Sequence, residues 1–208
     1  MEEIKARPIG PAENKMGVMP IMKLVLNMSL PMMFSMLIMA LYNIVDSIFV
    51  AKINEDALTA VSLAFPIQNL MISFAVGTGV GVNALLSKRL GQRNQADVNK
   101  TAMNAVFLAA CNFIVFFIAG IVLVHPYLAS QGVDAGIVSY GEAYLDIVLR
   151  MSFALFFGIT FDRLLQSTGL TLYTMYSQLS GAIFNVIFDP LLIFGIGPFP
   201  KMGIRGAA

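Results

Sequence analysis

From Leu24 to Ala51 the chain runs for 28 residues with a single formal charge, Asp46. About 20 apolar residues in a helix cross a hydrocarbon core, so this run is long enough to span a bilayer. A carboxylate inside such a span costs roughly 2.5–3.5 kcal/mol on insertion scales. A partner, a cation, a proton or trapped water has to offset that cost. The same problem recurs at Asp189, inside the apolar run from Gly169 to Gly197.

Composition agrees with a membrane setting. The chain is 58% hydrophobic and 12% charged, against about 45–50% and 25% for soluble domains. A net charge of +1 without a basic cluster gives no footprint for a nucleic-acid partner. One cysteine, Cys111, leaves no disulfide framework and no thiolate metal cluster. No cofactor and no enzymatic chemistry are expected. The only histidine, His125, closes an apolar run before Pro126. It reads as a polar cap at the membrane boundary, with a proton relay as the alternative.

Charge-poor runs mark five complete spans, roughly 24–51, 57–87, 101–124, 137–165 and 169–196, and the start of a sixth near Met202. The expected fold is therefore all-α, a polytopic membrane helix bundle, with a polar tail over 1–22 and the transmembrane lobe over 23–208. The apolar segment after the tail is twice the length of a signal-peptide core and should stay in the membrane. Basic residues set the orientation. The tail to Lys23 and the second connection carry four each (Lys5, Arg7, Lys15, Lys23; Lys88, Arg89, Arg93, Lys100), against three in the odd connections, Lys52, Lys201 and Arg205. The positive-inside rule then places the N-terminus in the cytoplasm, with the plasma membrane as the expected location and lipid as the surrounding partner.

Orientation gives depth. Spans one and five both exit outward, and Asp46 and Asp189 each lie about six residues, or roughly 9 Å, below the exit. Two acids on different helices thus share one height and, if the helices are neighbours, can share one proton or cation. Tyr42 and Asn43 lie one turn before Asp46, and Asn185 one turn before Asp189. Each amide is placed to donate to its acid or to complete a ring of oxygen ligands, which makes Tyr42, Asn43 and Asn185 candidate coupling residues with the two acids. The plainer reading is a polar seam between helices, worth about 0.6–2 kcal/mol per bond. Pro31 lies inside span one and Pro190 beside Asp189, each removing a helical amide. Pro31 reads either as a static kink or as the place where span one bends when Asp46 changes charge. In span four Glu142, Asp146 and Arg150 share a face, which predicts intrahelical pairing, and Arg163 is expected to snorkel to the interface. Asp162 in span four, with Gln68 and Asn69 in span two, are candidate cavity-lining residues. Abundant Met and Phe suit a cavity for hydrophobic cations, or equally a lipid-facing surface.

Three segments carry a resemblance. Tyr42-Asn43-Ile44-Val45-Asp46-Ser47-Ile48-Phe49-Val50, Gly79-Val80-Gly81-Val82-Asn83 leading into Ser87-Lys88-Arg89-Leu90-Gly91, and Asn185-Val186-Ile187-Phe188-Asp189-Pro190 stand in the first, second and fifth spans. In that order they resemble the multidrug and toxic compound extrusion (MATE) transporters, over about Met22 to the end of the chain. The resemblance implies one six-helix lobe, the N-terminal one, of a twelve-helix transporter, cut within helix six and working with a missing C-terminal lobe. It implies a secondary antiporter that exports lipophilic cationic drugs in exchange for H⁺ or Na⁺ by alternating access. It also implies a coupling site at Asp46 and Asp189 with Asn185 and Tyr42, Na⁺ being held by Asp46, Asp189 and Asn185, and a bending proline at Pro31. Asp162 stands where some relatives carry an amide. A helix-six hydroxyl that completes the site in some members lies beyond this chain.

Other readings make different demands. An intramembrane aspartyl protease needs Gly-x-Gly-Asp, and Gly77-Thr78-Gly79-Val80 has no acid there. A lipid-linked oligosaccharide flippase of related fold would favour an arginine-rich cavity. An inactive or half-size lobe would need a second chain.

Overall fold

The computed structural model describes residues 19–196 and 198–207, so most of the expected tail lies outside the described residues. The helices are α1 (Ile21–Ala51), α2 (Glu55–Gly91), α3 (Gln95–Ala129), α4 (Ala135–Arg150), α5 (Ser152–Ser167), α6 (Thr171–Phe194) and α7 (Ile204–Ala207). No strand occurs among the described residues. α1, α2, α3 and α6 are each long and apolar enough to cross a membrane, and α4 with α5 makes a fifth crossing bent by 45°. This is the expected polytopic helix bundle, with α7 where the sixth span was expected to open.

Two boundaries differ from the sequence expectation. α3 starts at Gln95, well before the apolar run, because the Asn94 side chain caps it by accepting from the Asp97 amide at 3.2 Å. Polar residues in the interfacial zone extend the helix beyond the hydrocarbon. α3 also continues through Pro126 to Ala129, so His125 does not end it. Span four, expected as one helix over 137–165, breaks at Met151 without proline or glycine. The buried Ser152 hydroxyl donates to the Leu149 carbonyl at 2.7 Å, and such local bonding bends helices.

The helices sort into two bodies. α2, α3, α4 and α5 form a block, and α1 packs chiefly on α6 beside it. The buried stripe of α2 is rich in small residues, Ala57, Ala60, Ala64, Ala75 and Gly79, beside the larger Met71, Val82 and Leu86. Small side chains let membrane helices approach closely, because lipid gives no hydrophobic drive for association. Gly120 of α3 meets Leu149 of α4 in this way, where an added Cβ would lie 2.8 Å from the leucine Cβ. The outward surface is apolar, with Met33, Phe107, Ile118 and Val122 all exposed. α6 ends on Gly195 in the left-handed region (φ +69°), where a Cβ would strike the Lys201 backbone. That turn folds residues 201–203 back along the end of α6, through Met202 N–H to the Leu192 carbonyl at 2.9 Å.

Candidate functional site

α1 and α6 are first and fifth crossings, so they run parallel. Their ends are joined by Phe49 and Phe194, whose rings meet edge to face with centroids 6.4 Å apart. Asp46 lies five residues before Ala51, the last residue of α1, and Asp189 five before Phe194, the last of α6. The matching heights read from the sequence bring the two acids close enough for the Asp46 charge to act on Asp189. Asp189 is 9% exposed and Asp46 half-buried. Asp46 Oδ1 and Asp189 Oδ2 are both buried and have no hydrogen-bond partner among the described residues.

Around the pair, Tyr42 of α1 interacts with the Asn185 side chain of α6 and lies in the field of both acids. A second tyrosine, Tyr144 of α4, also lies in the field of both. Its phenol oxygen accepts from Gln68 Nε2 of α2 at 2.9 Å, which leaves its own proton free to donate. The site thus joins the two bodies of the bundle: the acids stand on the α1/α6 pair, and the tyrosine–amide couple stands on the block. Tyr144 is the residue that sequence reasoning missed. It sits between Glu142 and Asp146, whose charges drew attention, but on the buried face with Gly141, Leu145 and Leu149. A lone hydroxyl on that periodic face was the available signal.

Other candidates fall elsewhere. Asn43 is exposed, donates to the Met39 carbonyl at 2.8 Å, and lines a cavity of about 430 Å³ with Ser47, Ala51 and Leu58. Asn69 is exposed on α2. Pro31 is buried in α1, which continues unbroken through it. Asp162 of α5 accepts from Gln178 Nε2 of α6 at 2.9 Å. Arg163 does not snorkel freely: its stem lies against Gly79, and its guanidinium donates to Gln166 at 2.8 Å. In span four Asp146 pairs with Arg150 at 2.6 Å as expected, whereas Glu142 engages His125 of α3. These charges line a cavity of about 480 Å³ between α3, α4 and α7, whose lining includes neither of the paired acids.

Chemically, two orphaned carboxylate oxygens and a nearby amide form a hard oxygen-donor set. It fits a proton or a small hard cation, and Asp46, Asp189 and Asn185 are the residues that would hold it. No cluster of three or more His, Cys, Asp or Glu side chains occurs among the described residues.

Comparison with known proteins bears on the family and the fold. The MatE family profile matches residues 31–191. The chain belongs to the MatE family. Among MATE relatives, a FAD transporter of Shewanella oneidensis is 30% identical over 189 residues, covering 91% of this chain and 42% of that protein. A probable multidrug resistance protein, YoeA of Bacillus subtilis, is 25% identical over 179 residues, covering 86% of this chain and 39% of that protein. The solved structure of the MATE multidrug transporter DinF-BH superposes with a TM-score of 0.83 at 32% identity, over 90% of this chain and 41% of that one. The chain therefore spans about two fifths of the length of these MATE proteins. It is a multi-pass membrane bundle that corresponds to part of the MATE N-terminal lobe.

Proposed function

We propose that the chain forms the ion-coupling lobe of a secondary multidrug antiporter in the plasma membrane, with its N-terminus cytoplasmic. The lobe works with a second six-helix lobe. It takes H⁺ or Na⁺ from outside and releases a lipophilic cationic compound in exchange. The observation that carries this reading is the pair Asp46 and Asp189, each with a buried oxygen that lacks a donor among the described residues. Two like charges in a low-dielectric site favour a shared proton or cation. Its arrival removes the repulsion between α1 and α6 and their need for hydration. It also changes what Tyr42 and Tyr144 donate to, and so how the α1/α6 pair sits on the block. Pro31, which lacks an amide inside α1, is where that adjustment is absorbed. Exchange requires only that ion and substrate prefer different packings of the two bodies.

The test is Asp46→Asn in the protein reconstituted in liposomes. Loss of ion-driven export of a lipophilic cation is expected, and unchanged export defeats the proposal. A second reading has the Shewanella relative in its favour: a flavin dinucleotide as substrate. The acidic character of Asp46, Asp189 and Asp162 opposes an anionic dinucleotide. Competition between FAD and a lipophilic cation for export in the same vesicles separates the two.

A further inference from the structure

Among the described residues four buried side-chain atoms lack a hydrogen-bond partner: Asp46 Oδ1, Thr171 Oγ1, Thr174 Oγ1 and Asp189 Oδ2. Three of them belong to α6, and the fourth faces it. At 100° per residue Thr171, Thr174, Gln178, Ala182, Asn185 and Asp189 fall within an arc of about 80° on that helix. Thr171 and Thr174 are 1% and 2% exposed, while Tyr176, Ile183, Phe184 and Ile187 on the remaining surface are all more than half exposed. From Thr171 to Asp189 is 18 residues, or about 27 Å of helix, most of a hydrocarbon core about 30 Å thick.

A polar seam that only holds helices together satisfies its groups across the interface. This one does not. An orphaned hydroxyl is costly in a dry setting, and two are stacked one turn apart at the N-terminal end of α6. Midway, Gln178 donates to Asp162 of α5, which places a third carboxylate beside the same face. Between Gln178 and Asn185 the arc holds only Ala182, a small side chain that is itself buried.

We propose that this face of α6 is a water-lined track for a small hard cation or hydronium ion. It runs from the Asp46/Asp189 pair to the cytoplasmic end of the helix, with Asp162 as the station midway and the hydroxyls of Thr174 and Thr171 as oxygen ligands at the exit. The identity of the traveller rests on the coupling role proposed above; the wetness of the face does not. Asn185 and Gln178 supply amide oxygens along the way, so every step offers the oxygen chemistry that a hard monovalent ion prefers.

The track is tested by single cysteines in a Cys111→Ala background in liposomes, using a charged, membrane-impermeant methanethiosulfonate presented from the cytoplasmic side. Thr174→Cys and Ala182→Cys should react, whereas lipid-facing Ile183→Cys should react about a hundredfold more slowly, the penalty for bringing a charge into hydrocarbon. Equal slowness at all three positions overturns the track. The station is tested by Asp162→Asn and by the double variant Thr171→Val/Thr174→Val. A several-fold loss of ion-driven turnover at unchanged equilibrium ion affinity is expected, and unchanged turnover overturns the relay. Ion dependence that survives in Asp46→Asn defeats the coupling role instead, and leaves the labelling result to stand or fall alone.

Discussion

Asp46 of α1 lies within electrostatic reach of Asp189 of α6, at matching distances from the ends of two parallel helices, and neither finds a donor for one of its oxygens among the described residues. Stability is sacrificed there, because a buried unpartnered acceptor costs about 1–3 kcal/mol.

Neutralising one acid should therefore stabilise the bundle and silence its response to ions. Asp189→Asn is expected to raise the thermal midpoint in detergent. Wild-type protein should be stabilised further by saturating Na⁺ or by acid, as for any ligand that binds the folded state. In Asp189→Asn that second rise should vanish. Ion-dependent thermal shifts measure both, and an undiminished shift in the variant would exclude the pair as the binding site.

Tyr144→Phe removes the acceptor for Gln68 and the phenol that the block offers to the acids. The lost hydrogen bond is worth about 0.5–1.5 kcal/mol. Ion affinity should fall while the fold persists, which titration of the thermal shift will read. The neighbouring exposed charge is the control: Arg150→Gln breaks only its pair with Asp146 and should leave ion affinity unchanged.

Close packing gives a sharper contrast between two glycines. Gly120→Ala brings a methyl group to 2.8 Å from the Leu149 Cβ, an atom fixed to the helix backbone. Separation of α3 from α4 should cost ~1–3 kcal/mol. Gly158→Ala points into open space and should be neutral or stabilising by up to ~1 kcal/mol. Unfolding in mixed micelles of rising denaturing-detergent fraction ranks the two.

Pro31→Ala restores a helical amide in a helix that already runs unbroken through the position. An interior proline costs about 3 kcal/mol in a helix, so the variant should be more stable. If α1 adjusts at this point during exchange, turnover should drop while ion affinity holds. Transport rates in liposomes, set beside thermal midpoints, would expose the opposite pattern.

Much of this arrangement can be read in the sequence, and for physical reasons. Hydrocarbon tolerates few charges, so charge-poor runs locate the crossings at α1, α2, α3 and α6, and an acid inside one announces itself at Asp46 and Asp189. Boundaries in the interface are less legible, because water and headgroups accept Asp97 and Lys100 within a helix. The bend at Met151 depends on which carbonyl the Ser152 hydroxyl takes, a local competition that composition does not record. Asn43 and Tyr144 illustrate the same limit at the site. Spacing alone puts Asn43 one turn from Asp46, yet its amide is engaged with Met39. Tyr144 is distant in the chain and reaches the acids only through the packing of α4 on α2.

The pairing of first and fifth crossings has a consequence for biogenesis. Asp189 is 143 residues downstream of Asp46 (189 − 46), which at about 5–20 residues per second is roughly 7–30 s of translation. The first crossing must enter the lipid, and wait there, before its counterpart has been synthesised. Its carboxylate has to be shielded meanwhile by the insertion machinery or by a borrowed proton. The nascent chain therefore lives through a vulnerable interval in which quality control can still recognise it as unfinished.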